Sequence, residues 1–166
     1  MRIRTPRVDE AAAIRLLIID AVTANKDDDF SDEGWIRFQE PNTVPLISER
    51  LTNEKYLTLV CEIEGHLVGI ITIKDHAKID QLFVSPGFRR RGVAKALWSE
   101  AYRICGLRRV TKQFWVKSST MGVSMYKSFG FLVAGPKQTT NGIAFYPMEL
   151  SVQTEVSSSL ERSRDP

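Results

Sequence analysis

The order of elements predicts a mixed α/β (α+β) fold, with a mostly antiparallel central sheet of six to seven strands and helices on both faces. Three observations carry this. Apolar residues recur at helical spacing up to about Leu51 and at strand spacing from Tyr56 onward. A strand, a basic loop, an amphipathic helix and another strand then follow one another between Ile79 and Lys117. Asn141-Gly142 is a hairpin turn inside the last strand pair.

In chain order, Arg2 to Arg4 alternates with Ile3 and reads as a short edge strand ended by Thr5-Pro6. Asp9 is placed to cap a helix over 10–24, with Ile14, Leu17, Ile18, Ala21 and Val22 at helical spacing. The acidic segment 25–33 breaks that pattern. A helix follows Ser31, carries Trp35 and Phe38 and stops at Pro41, and another spans 45–51. Segments 56–62, 67–73 and 79–84 form a three-stranded meander turned at Glu64-Gly65 and near Lys74 to Ala77. A helix from Arg91 to about Cys105, buried through Val93, Ala96, Leu97, Ala101 and Ile104, stops at Gly106. A strand over 110–117, a helix over 119–129 closed by Gly130, and strands over 131–134 and 143–150 complete the sheet. One domain over 1–150 and a disordered polar tail over 151–166 are expected.

The 166 residues, 43% of them hydrophobic, suffice for one core. No apolar run reaches the roughly 18–20 residues of a membrane helix, and Asp9, Glu10 and Arg15 spoil a signal peptide. No membrane partner is expected. Cys61 and Cys105 lack metal or redox spacing and read as core thiols, so no metal site and a cytoplasmic location are expected.

The net charge of +3 conceals a partition. Residues 1–85 carry ten Lys/Arg against fifteen Asp/Glu, whereas residues 86–127 carry ten against one, Glu100. A polyanionic ligand on the second segment is the economical reading. A nucleic acid, engaging Arg103, Arg108, Arg109 and Lys112, is the rival; it is not expected, because the nearby aromatic residues read as core rather than as a stacking row.

Within the basic segment, Leu82 to Lys95 builds a phosphate cradle. The first turn of the helix offers backbone N–H groups without intrahelical partners at the positive end of the helix dipole. Gly92 and Ala94 leave the backbone around Val93 accessible, while Arg89, Arg90, Arg91 and Lys95 add positive charge. The spacing is neither Gly-x4-Gly-Lys-Ser/Thr nor Gly-x-Gly-x-x-Gly, which disfavours nucleoside triphosphates and dinucleotides.

Arg89-x-x-Gly92-x-Ala94 after a strand resembles the acyl-CoA motif of the GNAT superfamily of N-acetyltransferases, Arg/Gln-x-x-Gly-x-Gly/Ala. The later segment 116–131, with Tyr126-Lys-Ser-Phe-Gly130-Phe131, is similar to the family's Tyr-x-x-x-Gly-Phe motif. The resemblance covers about residues 1–150. It implies an acetyl-CoA-dependent acyltransferase whose acceptor is a primary amine of a small molecule or peptide, attacked directly in a ternary complex. Homodimers are frequent in the family, which makes one a candidate assembly.

Residue roles follow from the same resemblance. Main-chain groups of Leu82, Phe83 and Val84 would contact the cofactor arm, although the same residues read equally as a buried strand. Residues 90–94 with Arg89 and Lys95 would hold the pyrophosphate. Tyr126 would protonate the leaving thiolate, against the alternative of a core tyrosine. Where the family often has Asn this chain has Ser119, so Ser118 and Ser119 are cofactor candidates, and Gly122 replaces a common Ala. No general base is evident by pattern; Asp80 is best placed, then Glu62 and His76. The acidic stretch with Phe30, Asp32 and Trp35 lies where family members build the acceptor wall, and its charge suggests a cationic amine. The non-enzymatic alternative is an acyl-CoA-binding or regulatory domain.

Overall fold

The computed structural model describes residues 1–107 and 111–152. Eight strands form the sheet: β1 (Arg2–Arg4), β2 (Tyr56–Ile63), β3 (His66–Lys74), β4 (Lys78–Val84), β5 (Gln113–Ser118), β6 (Leu132–Val133), β7 (Gln138–Thr140) and β8 (Ile143–Ser151). The order is β1-β2-β3-β4-β5-β8-β6, with β7 paired to β8 alone. Every pairing is antiparallel except β4 with β5.

The helices are α1 (Ala11–Thr23), α2 (Asp32–Gln39), α3 (Val44–Thr52), α4 (Val93–Leu107) and α5 (Val123–Ser128). They cover the two faces of the sheet. Alternation along β2 and β3 sends Leu59, Cys61, Ile71 and Ile73 to one core with Val93, Leu97 and Ala101 of α4. It sends Val60 and Ile70 to the other, with Ile14, Leu17 and Ile18 of α1 and Ile47 of α3. On the α1 face a chain of polar groups is also buried: Gln81 donates to the side-chain Oδ1 of Asn42 at 2.7 Å and accepts from Thr72 and Arg50.

Four expectations need correction. Asp9 does not cap α1; a 3-10 turn (Val8–Glu10) precedes it, and Glu10 reaches back to the Arg7 N–H at 2.7 Å. Asn141-Gly142 turns β7 into β8, because Gln138 to Thr140 forms a strand that its polar sequence does not announce. Gly106 lies inside α4, and Arg108 and Arg109 fall outside the described residues. Ser151 belongs to β8, and the Val152 N–H bonds the Lys112 carbonyl; beyond it the expected tail falls outside the described residues.

One sequence pattern misleads locally. Ile79, Gln81 and Phe83 alternate as if they shared a face, yet Ile79 joins the α4 core while Phe83 packs on the α1 side. A β-bulge resolves this: Ile73 pairs Ile79 and Thr72 pairs Gln81, leaving Asp80 as the extra residue.

Candidate functional site

The bulge coincides with the place where the sheet opens. β4 and β5 pair only at Lys78 with Trp115 and at Ile79 with Val116. Beyond that apex β4 runs on to Val84 and β5 to Ser118 without pairing, which leaves a wedge between two parallel strands. The Ser85 N–H bonds the Val68 carbonyl of β3, so strand alternation directs the Phe83 main chain to β3 and those of Leu82 and Val84 into the wedge. Two N–H groups in one line are therefore available to a ligand lying along β4.

At the far end of β4 the chain makes a tight basic loop. Arg90 (φ 61°) and Gly92 (φ 79°) both take the left-handed conformation, and α4 starts at Val93. The first α4 hydrogen bond is donated by Ala96 to Gly92, so the N–H groups of Val93, Ala94 and Lys95 precede the helical ladder. Gly69 sets this turn against the sheet: a Cβ there would lie 2.7 Å from Val93 Cγ1 and 3.0 Å from Leu97 Cδ1. Because Gly69 pairs with Val84, the open helix end and the open edge of β4 adjoin.

Arg89 is placed differently from its neighbours. Its guanidinium donates to the Ala21 carbonyl at the end of α1 (2.6 Å) and to the Val84 carbonyl (3.3 Å), which makes it a brace of the loop. Arg90, Arg91 and Lys95 remain to face an anion, with the Arg91 guanidinium 5.2 Å from the Phe88 ring centre.

The opposite wall is the end of β5 and α5. Tyr126 is 5% exposed and packs edge-on against Phe129 and Phe131 at 6.2 and 5.5 Å. Its hydroxyl makes no hydrogen bond to a described residue, and no buried side-chain N or O among those residues lacks a partner. The hydroxyl is thus the accessible tip of a buried ring. Burial raises its pKa above that of a free phenol, keeping it protonated. Ser118 and Ser119 are both nearby but engaged: Ser118 Oγ donates to the Ser119 carbonyl at 2.8 Å, and Ser119 Oγ accepts from the Gly122 N–H at 3.1 Å. Gly122 serves packing rather than ligand access, since a Cβ would meet Ser118 Oγ at 2.9 Å.

On the α1 face of the wedge, Asp80 accepts from the Lys78 ammonium at 2.8 Å. It stands at the apex, unlike the other candidate bases. Glu62 is held by Arg4 on the distant β1–β2 edge (2.8 Å), and His76 sits in the left-handed β3–β4 turn. Phe83, whose main chain pairs with Ile70 of β3, sends its ring to this face. It meets Phe38 at 6.0 Å, and Phe38 meets Phe30 and Trp35 at 5.4 and 5.9 Å, forming an aromatic row beside β4. Asp32 lies on the exposed first turn of α2; Asp29, in contrast, is buried. Asp29 accepts from the Thr120 N–H and hydroxyl and pairs with Lys137 at 3.3 Å. Its charge is spent on holding loops together, a role that its position in an acidic run concealed.

An elongated acyl-CoA fits these features: N–H groups along β4 for an amide-bearing arm, an open helix end with three cations for a pyrophosphate, and a protonated phenol across the wedge. Among the described residues no cluster of His, Cys, Asp and Glu could hold a metal ion, and no helix is long and apolar enough to cross a membrane.

Comparison with known proteins agrees. The structure is similar to a GCN5-related N-acetyltransferase (aminotransferase, class-II) of Rhodopseudomonas palustris, with TM-score 0.79, 22% identity, and 91% and 95% of the two chains covered. It is similar to a PaiA N-acetyltransferase of Thermoplasma acidophilum in complex with coenzyme A (TM-score 0.77, 18% identity, 91% and 98% covered). A ribosomal-protein-alanine N-acetyltransferase of Brucella melitensis follows at TM-score 0.64 and 16% identity, with 92% and 100% covered. No curated protein sequence matches the chain. The model of the acetyltransferase (GNAT) domain matches residues 26–152, and the chain therefore belongs to the GNAT acetyltransferase family, whose members take their acetyl group from acetyl-CoA.

Proposed function

We propose that the chain transfers the acetyl group of acetyl-CoA to a primary amine of a small molecule or peptide, by direct attack with both substrates bound. The parting of β4 from β5 beyond Ile79 and Val116 is the observation that supports the reading; Asp80 follows the last paired residue of β4, and Tyr126 lies on α5, beyond the end of β5. The amine nitrogen attacks the thioester carbonyl carbon, an N–C bond forms, and the C–S bond breaks. The N–H groups of Leu82 and Val84 are preorganised donors for the arm and the developing oxyanion. Tyr126 donates its proton to the departing thiolate and is reprotonated, through water, by the second proton that the attacking nitrogen sheds on becoming an amide. Asp80, directly or through water, receives the proton that the ammonium must lose, since an alkyl ammonium of pKa about 10.4 is almost wholly protonated at neutral pH. A non-catalytic acyl-CoA-binding domain would need the site but not a proton donor.

The test is release of CoA thiol from acetyl-CoA across a panel of primary amines. Tyr126→Phe is expected to lower turnover by about 100-fold, the lower range of general acid catalysis, with acetyl-CoA affinity retained. Amine-independent behaviour, or an undiminished rate in Tyr126→Phe, would reject the mechanism.

A further inference from the structure

Resting on that transferase reading, we infer that the acceptor carries a carboxylate a few bonds from its nitrogen and an apolar body, and that Lys117 selects it. A shallow depression of ≈ 450 Å³ lies on the outward face of β5 and β8, lined by Trp115, Lys117, Phe145 and Pro147 among others. Val116, the last β5 residue paired with β4, borders it, so the depression reaches the apex of the wedge where acetyl transfer is placed.

Charge decides what fits there. The Lys117 ammonium lies 4.8 Å from the centre of the Phe145 ring and has no carboxylate within ion-pair distance among the described residues. Asp80 and Asp29 are ion-paired with Lys78 and Lys137, whereas Glu149, opposite Trp115 in the same lining, accepts among the described residues only from the neutral Gln113 amide at 2.8 Å and keeps its charge. Glu149 stands on the paired side of the apex and Lys117 on the open side, so a cationic group entering from the wedge faces a like charge there. An acidic group meets an unpaired ammonium, and Trp115, 39% exposed, offers its ring to the body of the acceptor. Lys117 stands one residue past the apex, which fixes the short separation between the carboxylate and the reacting nitrogen.

The test is calorimetric titration of N-acetylphenylalanine and N-acetylphenethylamine, products with and without the carboxylate, into the CoA-saturated protein. Wild type is expected to bind the carboxylate compound about tenfold more tightly, as for a hydrogen bond to a charged group. Lys117→Gln should erase the preference and Lys117→Glu reverse it, both with unchanged melting temperature and CoA affinity. No carboxylate preference in wild type, a preference that survives Lys117→Gln, or a fall in CoA affinity in that variant would overturn the inference. The readout is product binding, so absent turnover would reject the transferase reading and leave this selectivity standing.

Discussion

The Asp29 carboxylate receives both the backbone N–H and the hydroxyl of Thr120, at 2.8 and 2.6 Å, across 91 residues of sequence. Asp29 belongs to the loop between α1 and α2, and Thr120 to the turn that carries β5 into α5. The pair therefore ties the loop beside the aromatic row of Phe30, Trp35 and Phe38 to the segment that leads into α5 and Tyr126. Truncation leaves the two Thr120 donors without their acceptor and the Lys137 ammonium, which also donates to the Thr120 hydroxyl at 2.9 Å, without its counter-charge. Asp29→Ala is expected to cost about 3 kcal/mol in urea unfolding, and Asp29→Asn, which keeps one acceptor oxygen, distinctly less. Equal loss in both variants would show that the carboxylate's second oxygen carries the contact.

Asp80 is predicted to act in proton removal. Asp80→Asn should lower kcat/KM about 100-fold at neutral pH, and the deficit should shrink as pH rises toward the pKa of the acceptor, where the amine supplies itself in neutral form. A pH–rate profile checks this. A deficit of the same size at every pH would instead identify Asp80 as a structural partner of Lys78.

The sequence is an uneven guide to these groups, for physical reasons. The strand-loop-helix from β4 into α4 was legible because hydrophobic period, positive charge and small residues agree over fourteen positions, 82–95. The α5 helix that carries Tyr126 is legible through the Gly130-Phe131 that follows it. The phase change at Asp80 was not, since a bulge is one extra residue whose evidence lies in the partner strand. Nor was the role of Asp29, whose partners Thr120 and Lys137 are remote in sequence. Arg89 looked like its neighbours, and only the position of the α1 carboxyl end, at Ala21, makes it a brace. Lys117 carries no signal in the sequence, because an outward lysine on a half-exposed strand is ordinary.

Acid sensitivity has a defined source at the N-terminus. Arg4 binds Glu10 at 2.6 Å and Glu62 at 2.8 Å, and its hydrogen bond, with the Arg7 N–H, holds the Glu10 carboxyl down at about 2. A depressed carboxylate stabilises the fold fully above its unfolded pKa of about 4.3 and loses that contribution as pH falls through the folded value. Wild type should therefore exceed Glu10→Gln in stability at pH 6 and converge with it between about pH 4.3 and 2, as read by denaturant midpoints. A gap independent of pH would place the effect in packing.

Acetyl-CoA is placed in the wedge between β4 and β5, with its pyrophosphate at the first turn of α4. Isothermal titration of acetyl-CoA into wild type and Arg91→Glu/Lys95→Glu tests this placement most directly, because both side chains lie beside the open helix end and neither supports the core. Reversing two cations at a pyrophosphate, at about 1.5–3 kcal/mol for each charged hydrogen bond, should weaken binding at least about 100-fold with the melting temperature preserved. Unchanged affinity in the folded double variant would contradict the placement.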